Sequence, residues 1–503
     1  MSHYLKLALT GVVLAAPLGF SALAQEPERV VLWAPGDNGT VQDWNTDPIL
    51  QVVEEATNTD IEIVKIGFDV YAQRVNAAFA SREVPDIIAQ LSNYAMIFEL
   101  ADQGALAPFE GEVGEAAPNV LAMYEEGSLD DMKVDGKVYG QPVYWNSTES
   151  PVGAQIHIRK DLLDALGLAV PDTFDEYFGF LEACSEANGI PGVTFNGVEF
   201  STGALSAFTG AFGLPTGGWT ETAEGYASVL IQPEMKEALL LFREMVAQGL
   251  SDPAAWENDQ DATRTQYVSG GACSVIFNGG GHIGRIQNDF DLADKGYQNF
   301  LLPAPSAGGE ARGYTLGPSF FGLTVVPNLR GNNPVAAARV LNYLNSEEGL
   351  KLTALGVEGT DYTETNGEIE LLPARAERGF PAEAGDTGAH PLATPIVSWV
   401  PQEWQDFQLL YGKPEAFKTW YDAMQANMYE YTLPSTGSLI QTDAGTQYAG
   451  ALGDLTERYL IEIIRAGSEE EAAASFDAFV AAWRAAGGDQ VTAEVNEVLS
   501  ASN

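Results

Sequence analysis

Three glycines follow a short apolar segment in the middle of the chain. Gly279, Gly281 and Gly284, in CSVIFNGGGHIGRI, have the G-x-G-x-x-G spacing that lets a backbone hold a dinucleotide pyrophosphate. The context argues against NAD, because the motif lies far from the first β-α-β pattern. The segment LLPAPSAGG, about 20 residues beyond Gly284, also lacks the acidic residue that binds the ribose. A glycine turn after a buried strand serves any site where backbone approaches a ligand closely.

No other spacing of reactive residues predicts catalysis. The chain contains no G-x-S-x-G, H-E-x-x-H or P-loop motif, and His157, His282 and His390 have no metal-ligand spacing. A pair of glycosidase carboxylates cannot be singled out among 70 acidic residues, for which a solvated acidic surface is the simpler interpretation. We therefore expect neither catalytic residues nor a cofactor.

Strands and helices alternate along the first part of the chain. Apolar strand patterns at 29–35, 61–67 and 85–91 are separated by helical patterns at 47–58 and 70–82. This alternation predicts β-α-β units, a parallel sheet and therefore an α/β fold. Ligands of such sheets bind at the carboxyl ends of the strands, which here are the polar loops 34–40 and 90–94.

The later helices carry clear boundary signals. Thr173 with Glu176, and Ser468 with Glu471, have capping-box spacing before apolar helical faces. The segment 232–253 has a proline near its start and a glycine near its end, which also predicts a helix. From about Pro414 onward the chain is expected to be mostly helical.

The amino terminus has the pattern of a secretory signal peptide. Lys6 precedes a short apolar run that closes on Ala22-Leu23-Ala24, so we expect cleavage after Ala24 and a start at Gln25. No cysteine stands at the cleavage point, so no lipid anchor is expected. These features predict an exported, periplasmic protein of 479 residues after cleavage.

The charge balance narrows the class of partner. Removing the segment that carries Lys6 leaves 24 basic residues against 70 acidic, a net charge of −46, which repels nucleic acid and anionic membranes. Neutral or cationic solutes are the expected partners. Cys184 and Cys273 are the two cysteines; an oxidising compartment permits one disulfide, and buried thiols are the alternative.

A set of motifs in a fixed order resembles the bacterial extracellular solute-binding proteins, family 1, the periplasmic receptors of ABC importers. Residues 133–177 resemble the region where such chains pass from the first lobe to the second. Residues 346–362, SEEGLKLTALGVEGTDY, and the length are most similar to the long branch with LipO-like and alginate-oligosaccharide-binding members. The other matching segments are VVLWAPGDNGT, PDIIAQ, QGALAPF, MVAQGLSDP and YVSGGACSVIFNGGG.

The resemblance implies the fold class of these receptors, two α/β lobes with a type II-like arrangement and a ligand cleft between them. The chain would cross a hinge more than once. We expect lobe one at 26–145 and 313–372, and lobe two at 150–308 and 376–503, after a signal peptide at 1–24. Binding would proceed by hinge closure, and delivery would be to the permease subunits of the importer.

The resemblance also selects candidate ligand-binding residues. Sugar rings stack on aromatic faces, and their hydroxyls pair with amides and carboxylates. For each aromatic candidate a core or surface role is the alternative, although Trp145 and Trp219 lie beside turn residues rather than in a periodic helix. The candidates are Asp37, Asn38, Asn93, Tyr144, Trp145, Trp219, Asn278, His282, Phe320 and Trp399.

These observations predict a monomeric receptor for an oligosaccharide. Another neutral or cationic solute, such as a peptide, and a secreted carbohydrate-active enzyme are the alternatives. Alginate-binding relatives carry an EF-hand-like calcium loop, but the nearest stretch here, residues 257–265, lacks the glycine at position six and the distant glutamate. We therefore expect no structural metal ion.

Overall fold

The strands and helices come from a computed structural model of the chain. It describes residues 26–35, 44–125, 129, 132–143, 150–151, 153–198, 200, 203–278, 283–292, 294–317, 322–373, 410–434, 440 and 442–502. The described strands are β1 (Glu28–Pro35), β2 (Thr59–Ile66), β3 (Ile87–Leu91), β4 (Gly140–Pro142), β5 (Ser150–Pro151), β6 (Ala154–Arg159), β7 (Val193–Phe195), β8 (Trp219–Thr222), β9 (Gly225–Ser228), β10 (Ser274–Asn278), β11 (Asn299–Leu301), β12 (Tyr314–Gly317), β13 (Leu323–Val325), β14 (Tyr362–Thr365), β15 (Glu368–Leu371) and β16 (Thr432–Pro434).

Helices connect these strands and form the carboxyl-terminal part of the chain. The described helices are α1 (Pro48–Thr57), α2 (Phe68–Ser81), α3 (Tyr94–Asp102), α4 (Gly111–Glu115), α5 (Pro118–Ala122), α6 (Lys160–Ala165), α7 (Phe174–Asn188), α8 (Ser206–Thr209), α9 (Pro233–Ala247), α10 (Gln260–Val268), α11 (Ile283–Leu292), α12 (Pro334–Leu344), α13 (Glu347–Leu355), α14 (Glu415–Glu430), α15 (Asp443–Ile464), α16 (Glu469–Trp483) and α17 (Asp489–Ser502). None of them combines the length and apolar character needed to span a bilayer.

The first sheet has the order β2-β1-β3-β13-β4. β1 runs parallel to β2 and β3, as the alternating pattern predicts. The crossover helix α1 begins where the Asp47 carboxylate accepts the Ile49 N–H at 2.8 Å, and ends at Asn58, which has left-handed backbone angles. β13 comes from much later in the chain and lies antiparallel between β3 and β4. One apolar core packs around this sheet.

The second sheet has the order β11-β6-β10-β7, and β6 runs antiparallel to both of its neighbours. All six residues of β6 are buried, so both faces of this sheet are covered. Ala154, Ile156 and Ile158 belong to a large apolar core that includes residues of α7, α9, α15 and α16. The residues between them, Gln155 and His157, have polar side chains and are also fully buried. They point to the opposite face, because side chains alternate along a strand.

A third sheet, with the order β16-β12-β5, joins segments that lie far apart in the sequence. It is bonded to the second sheet, because the Tyr314 hydroxyl donates to the Leu302 carbonyl at 2.9 Å. The Thr216 N–H likewise donates to the Thr315 hydroxyl at 2.7 Å. Sequence analysis assigns residues 313–317 to lobe one, whereas these contacts tie β12 to the second sheet. The chain therefore passes to the first sheet after Gly317, and the other lobe boundaries stay predictions.

The two cysteines form a disulfide between α7 and the residue before β10. Cys184 and Cys273 are both fully buried. Of the two alternatives that the sequence leaves open, the structure has the bonded one. The bond closes a loop with a sequence separation of 89 residues inside the second core.

The carboxyl-terminal helices cover the second sheet and its edge. α14 lies along the edge strand β11, where Trp420 Nε1 donates to the Asn299 carbonyl at 3.1 Å and Asn427 Nδ2 donates to the Leu301 carbonyl at 2.8 Å. These side chains hydrogen-bond to backbone carbonyls of β11. On an exposed edge strand, such carbonyls could pair with another strand. The β8–β9 hairpin is held on α17 by Asn496, whose Oδ1 accepts the Tyr226 N–H and whose Nδ2 donates to the Tyr226 carbonyl, each at 2.7 Å.

Candidate functional site

Four strand ends meet at one edge of the first sheet. β1 and β3 are parallel and end there at Pro35 and Leu91. β4 ends at the same edge, since Pro142 pairs with Leu323 and Leu323 pairs with Leu91. In sheets with parallel strands, ligands bind outside the carboxyl ends of those strands. This edge is therefore one side of the candidate site.

Two of the connections to the second sheet leave from this edge, at Val143 and Gly322, and are fixed there. The Gly322 N–H donates to the Tyr94 hydroxyl at 3.0 Å, and the Val143 N–H donates to the Gly322 carbonyl at 3.1 Å. Gly322 has a φ of +91°, and a Cβ there would lie 2.7 Å from the Leu91 carbonyl oxygen, so the close approach requires glycine. Burial raises the pKa of Tyr94 to about 12, so its hydroxyl stays protonated at neutral pH.

The second sheet offers a matching edge. β10 ends at Asn278, which pairs with Ala154 at the start of β6. The Ala154 N–H donates to the Ser206 hydroxyl at 2.7 Å, which fixes the point where the chain enters this sheet. Gly153 packs so closely here that a Cβ would lie 2.7 Å from the Ser206 Oγ.

Two segments connect these edges by way of the third sheet. Ser150 pairs with Gly317 in the third sheet. Gly317 and Gly322 are five positions apart, which limits their Cα separation to about 18 Å. The space between the two edges is the candidate ligand site.

Three of the sequence candidates have described backbones. Asn93 is exposed and caps α3, because its Oδ1 accepts the Met96 N–H at 3.0 Å. Asn278 ends β10 at the edge of the second sheet. Trp219 is half-buried in β8 and packs against both the second core and a cluster around Ala444, Val491 and Val495. These contacts give the Trp219 ring a role in the fold.

The other candidates lie outside the described residues, but most of them adjoin the two edges along the chain. A residue within two sequence positions of a described edge residue is kept as a candidate. By this criterion Asp37, Trp145 and Phe320 stay candidates beside Pro35, Val143 and Gly322, and His282 directly precedes α11. The full set outside the described residues is Asp37, Asn38, Tyr144, Trp145, His282, Phe320 and Trp399, of which Trp399 lies eleven positions before Leu410.

Sequence analysis did not identify the residues whose hydrogen bonds and close contacts fix the two sheet edges. Tyr94, Ser206 and Gly322 are recognised only from tertiary contacts, since no spacing relates them. The sequence does mark Gln155 as unusual. In the strand AQIHIR, polar residues alternate with apolar ones. That alternation normally marks one solvated face.

The described residues also bear on metal binding. In the described ranges no group of three or more His, Cys, Asp and Glu side chains could hold a metal ion. In the stretch compared with a calcium loop, the Asp259 carboxylate accepts the Ala262 N–H at 2.8 Å and caps α10. An open groove of about 700 Å³ lies at the opposite end of β1 and β2, away from the candidate site. Glu26, Glu54 and Asp60 are among the residues that line it.

The chain is similar in sequence and in structure to known solute-binding proteins. Residues 49–362, more than half of the chain, match a family model described as bacterial extracellular solute-binding protein. Lipoprotein LipO of Bacillus subtilis is 23% identical over 90% of this chain and 89% of its own. The polygalacturonan/rhamnogalacturonan-binding protein YtcQ of the same organism is 21% identical over 90% of this chain and 88% of its own. The crystal structure of alginate-binding protein AlgQ2 without calcium ion superposes with a TM-score of 0.72 at 15% identity, covering 94% of this chain and 98% of that one.

Proposed function

Because the chain belongs to the bacterial extracellular solute-binding protein family, we propose that it is the receptor of an ABC importer and captures an oligosaccharide between two lobes. Members of this family bind solutes outside the cell and work with ABC permeases. On this proposal the receptor breaks no bond in its ligand. It closes on the sugar, carries it to the permease subunits and releases it there.

The observation that supports the proposal is that connections between the two sheets leave from hydrogen-bonded sheet edges. Each edge is held by hydrogen bonds at the point where a connection leaves it, at Gly322 in the first sheet and at Ala154 in the second. The backbone between Gly317 and Gly322 is short. Two rigid edges joined by short connections support a hinge motion that opens and closes the space between them.

An oligosaccharide is favoured by the relatives and by the residues beside the edges. The names of YtcQ and AlgQ2 identify them as binding polygalacturonan, rhamnogalacturonan and alginate, which are carbohydrates. Asp37, Asn38 and Trp145 supply an acid, an amide and an aromatic ring close to the first edge along the chain. This is the set of groups that a sugar ring with its hydroxyls requires.

The proposal includes the maturation of the protein. The leader is cleaved after Ala24, no lipid is attached, and the product is a monomer that binds no nucleic acid. This differs from the lipoprotein LipO, because no cysteine stands at the expected cleavage point here. Intact-mass analysis of the exported protein should give a chain that starts at Gln25 without an acyl adduct.

A thermal-shift panel tests the function. The panel contains kestose, maltotetraose, xylotetraose, trigalacturonate and tetra-alanine, followed by a wider carbohydrate array. We expect at least one oligosaccharide to raise Tm and to bind with a micromolar dissociation constant, about −8 kcal/mol, which still permits release to the permease. Stabilisation by the peptide alone would contradict a carbohydrate receptor, and turnover of any oligosaccharide would contradict a receptor that breaks no bond.

A further inference from the structure

The second sheet contains a buried amide without hydrogen bonds. Gln155 is 0% exposed, and among the described residues neither its Nε2 nor its Oε1 has a partner. Some polar groups of this layer are bonded, since Asn299 Nδ2 lies 3.2 Å from His157 Nδ1 and Arg159 is paired with Asp161, whereas Asn288 Nδ2 of α11 also has no hydrogen bond to a described residue. Buried polar atoms in folded proteins are nearly always bonded, and an unpaired one destabilises the fold. Gln155 therefore lacks, among the described residues, the partner that a buried amide requires.

Gln155 lies one residue inside the edge of the candidate site. It pairs with Phe277, and the preceding pair, Ala154 with Asn278, forms the edge itself. Paired residues of adjacent strands point to the same face, so Gln155 shares the face of Phe277, which packs with Ile286 and Phe290 of α11. The amide therefore lies on the α11 side of the sheet, close to the edge from which the chain runs into that helix.

The two atoms of the amide define the chemistry of the missing partner. Nε2 is a donor and Oε1 is an acceptor, so both are satisfied only by a group that accepts and donates. A hydroxyl does both. A carboxylate only accepts and an ammonium group only donates, so each would leave one end of the amide unpaired.

We propose that Gln155 binds an uncharged hydroxyl of the solute and that no carboxylate of the solute occupies this position. This inference rests on the proposed function and deepens it. The charges agree with it, because Arg159, on the same face of β6, is already paired with Asp161. The strongly acidic chain also repels carboxylate ligands as a whole.

The test is the substitution Gln155→Met, which keeps the length of the side chain and removes its hydrogen bonds. The probe is the neutral oligosaccharide among kestose, maltotetraose and xylotetraose that shifts wild-type Tm most. We expect Tm of the free variant to stay the same or rise, because an unpaired polar group is removed. We expect Kd for the probe to rise about tenfold or more, because the bonds to the hydroxyl are lost.

Gln287→Met is the matched control. Gln287 is a buried amide of the same layer whose hydrogen bonds are filled, since its Nε2 donates to Asp291 and its Oε1 accepts the Asn299 N–H, each at 2.9 Å. This variant should lower Tm and leave Kd within about twofold of wild type, because its bonds support only the fold.

The outcomes separate this inference from the proposed function. If wild type binds none of the panel's oligosaccharides or the wider array, both fail together. If wild type binds but Gln155→Met binds equally well, this inference alone is overturned. A loss of Tm in Gln155→Met as large as that in Gln287→Met would also overturn it, because the amide would then have partners in the free protein.

Discussion

The described surroundings of Trp219 indicate a role for its ring in the fold. The Trp219 ring lies between the second core and the carboxyl-terminal helices, against residues such as Tyr448 and Leu452 that have no part in the candidate site. We expect Trp219→Ala to lower the free energy of unfolding by about 2 kcal/mol, roughly half the loss for a fully buried tryptophan. Chemical denaturation measures this loss, and unchanged stability with weakened sugar binding would show that the ring faces the ligand instead.

Trp145 is the matched comparison. It stands two positions beyond Val143, where the chain leaves the first sheet at the edge of the site. We expect Trp145→Ala to weaken binding of the panel oligosaccharide by about 2 to 4 kcal/mol through loss of stacking, with Tm nearly unchanged. Calorimetry on both variants gives the contrast. Equal Tm losses with equal affinities would remove Trp145 from the site.

At the scale of single elements, boundary signals in the sequence were informative. Thr173 and Glu176 form the capping box of α7, and Gly189 ends that helix with left-handed angles. The second expected box is half formed, because the Ser468 hydroxyl accepts the Glu471 N–H while the Glu471 carboxylate accepts the Gly467 N–H. Such local contacts depend on residues three or four positions apart, which is why they can be read from sequence.

The disulfide joins two elements that no local signal relates. Replacing both Cys184 and Cys273 by alanine should lower the free energy of unfolding by about 4 to 5 kcal/mol, since the chain-entropy model assigns that much to a loop of this length. Reductant should lower Tm of wild type toward that of the double variant and leave the variant itself unchanged. A wild-type Tm that does not respond to complete reduction, verified by thiol titration, would contradict this prediction.

At the scale of the whole molecule, contacts between distant segments set the limit of sequence reasoning. The parallel strands β1 to β3 follow from local alternation, but β13 enters the first sheet beside β3 from another part of the chain, with the Thr324 hydroxyl accepting the Gln90 N–H at 3.3 Å. β12 is bonded to the second sheet although it was assigned to lobe one. Composition and spacing do not encode such pairings, and they leave both alternatives open for Trp219.

The net charge of −46 after leader removal is a property of the whole molecule. Repulsion among so many like charges destabilises the compact state, and salt screens it. We expect Tm to rise by several degrees between about 0.02 and 0.3 M NaCl and then to level off. Over this range the Debye length falls from about 20 to about 6 Å. Differential scanning fluorimetry follows the shape of the curve. A rise that continues linearly to molar salt would indicate general salting-out instead of charge screening.

The central claim is that an oligosaccharide is held between two lobes that close on it. Small-angle X-ray scattering, with and without a saturating amount of the oligosaccharide that shifts Tm most, tests this claim most directly. Because the short connections next to Gly317 and Gly322 permit a hinge motion between the sheet edges, the radius of gyration should decrease when the sugar is bound. An unchanged radius of gyration at confirmed saturation would contradict closure around the ligand.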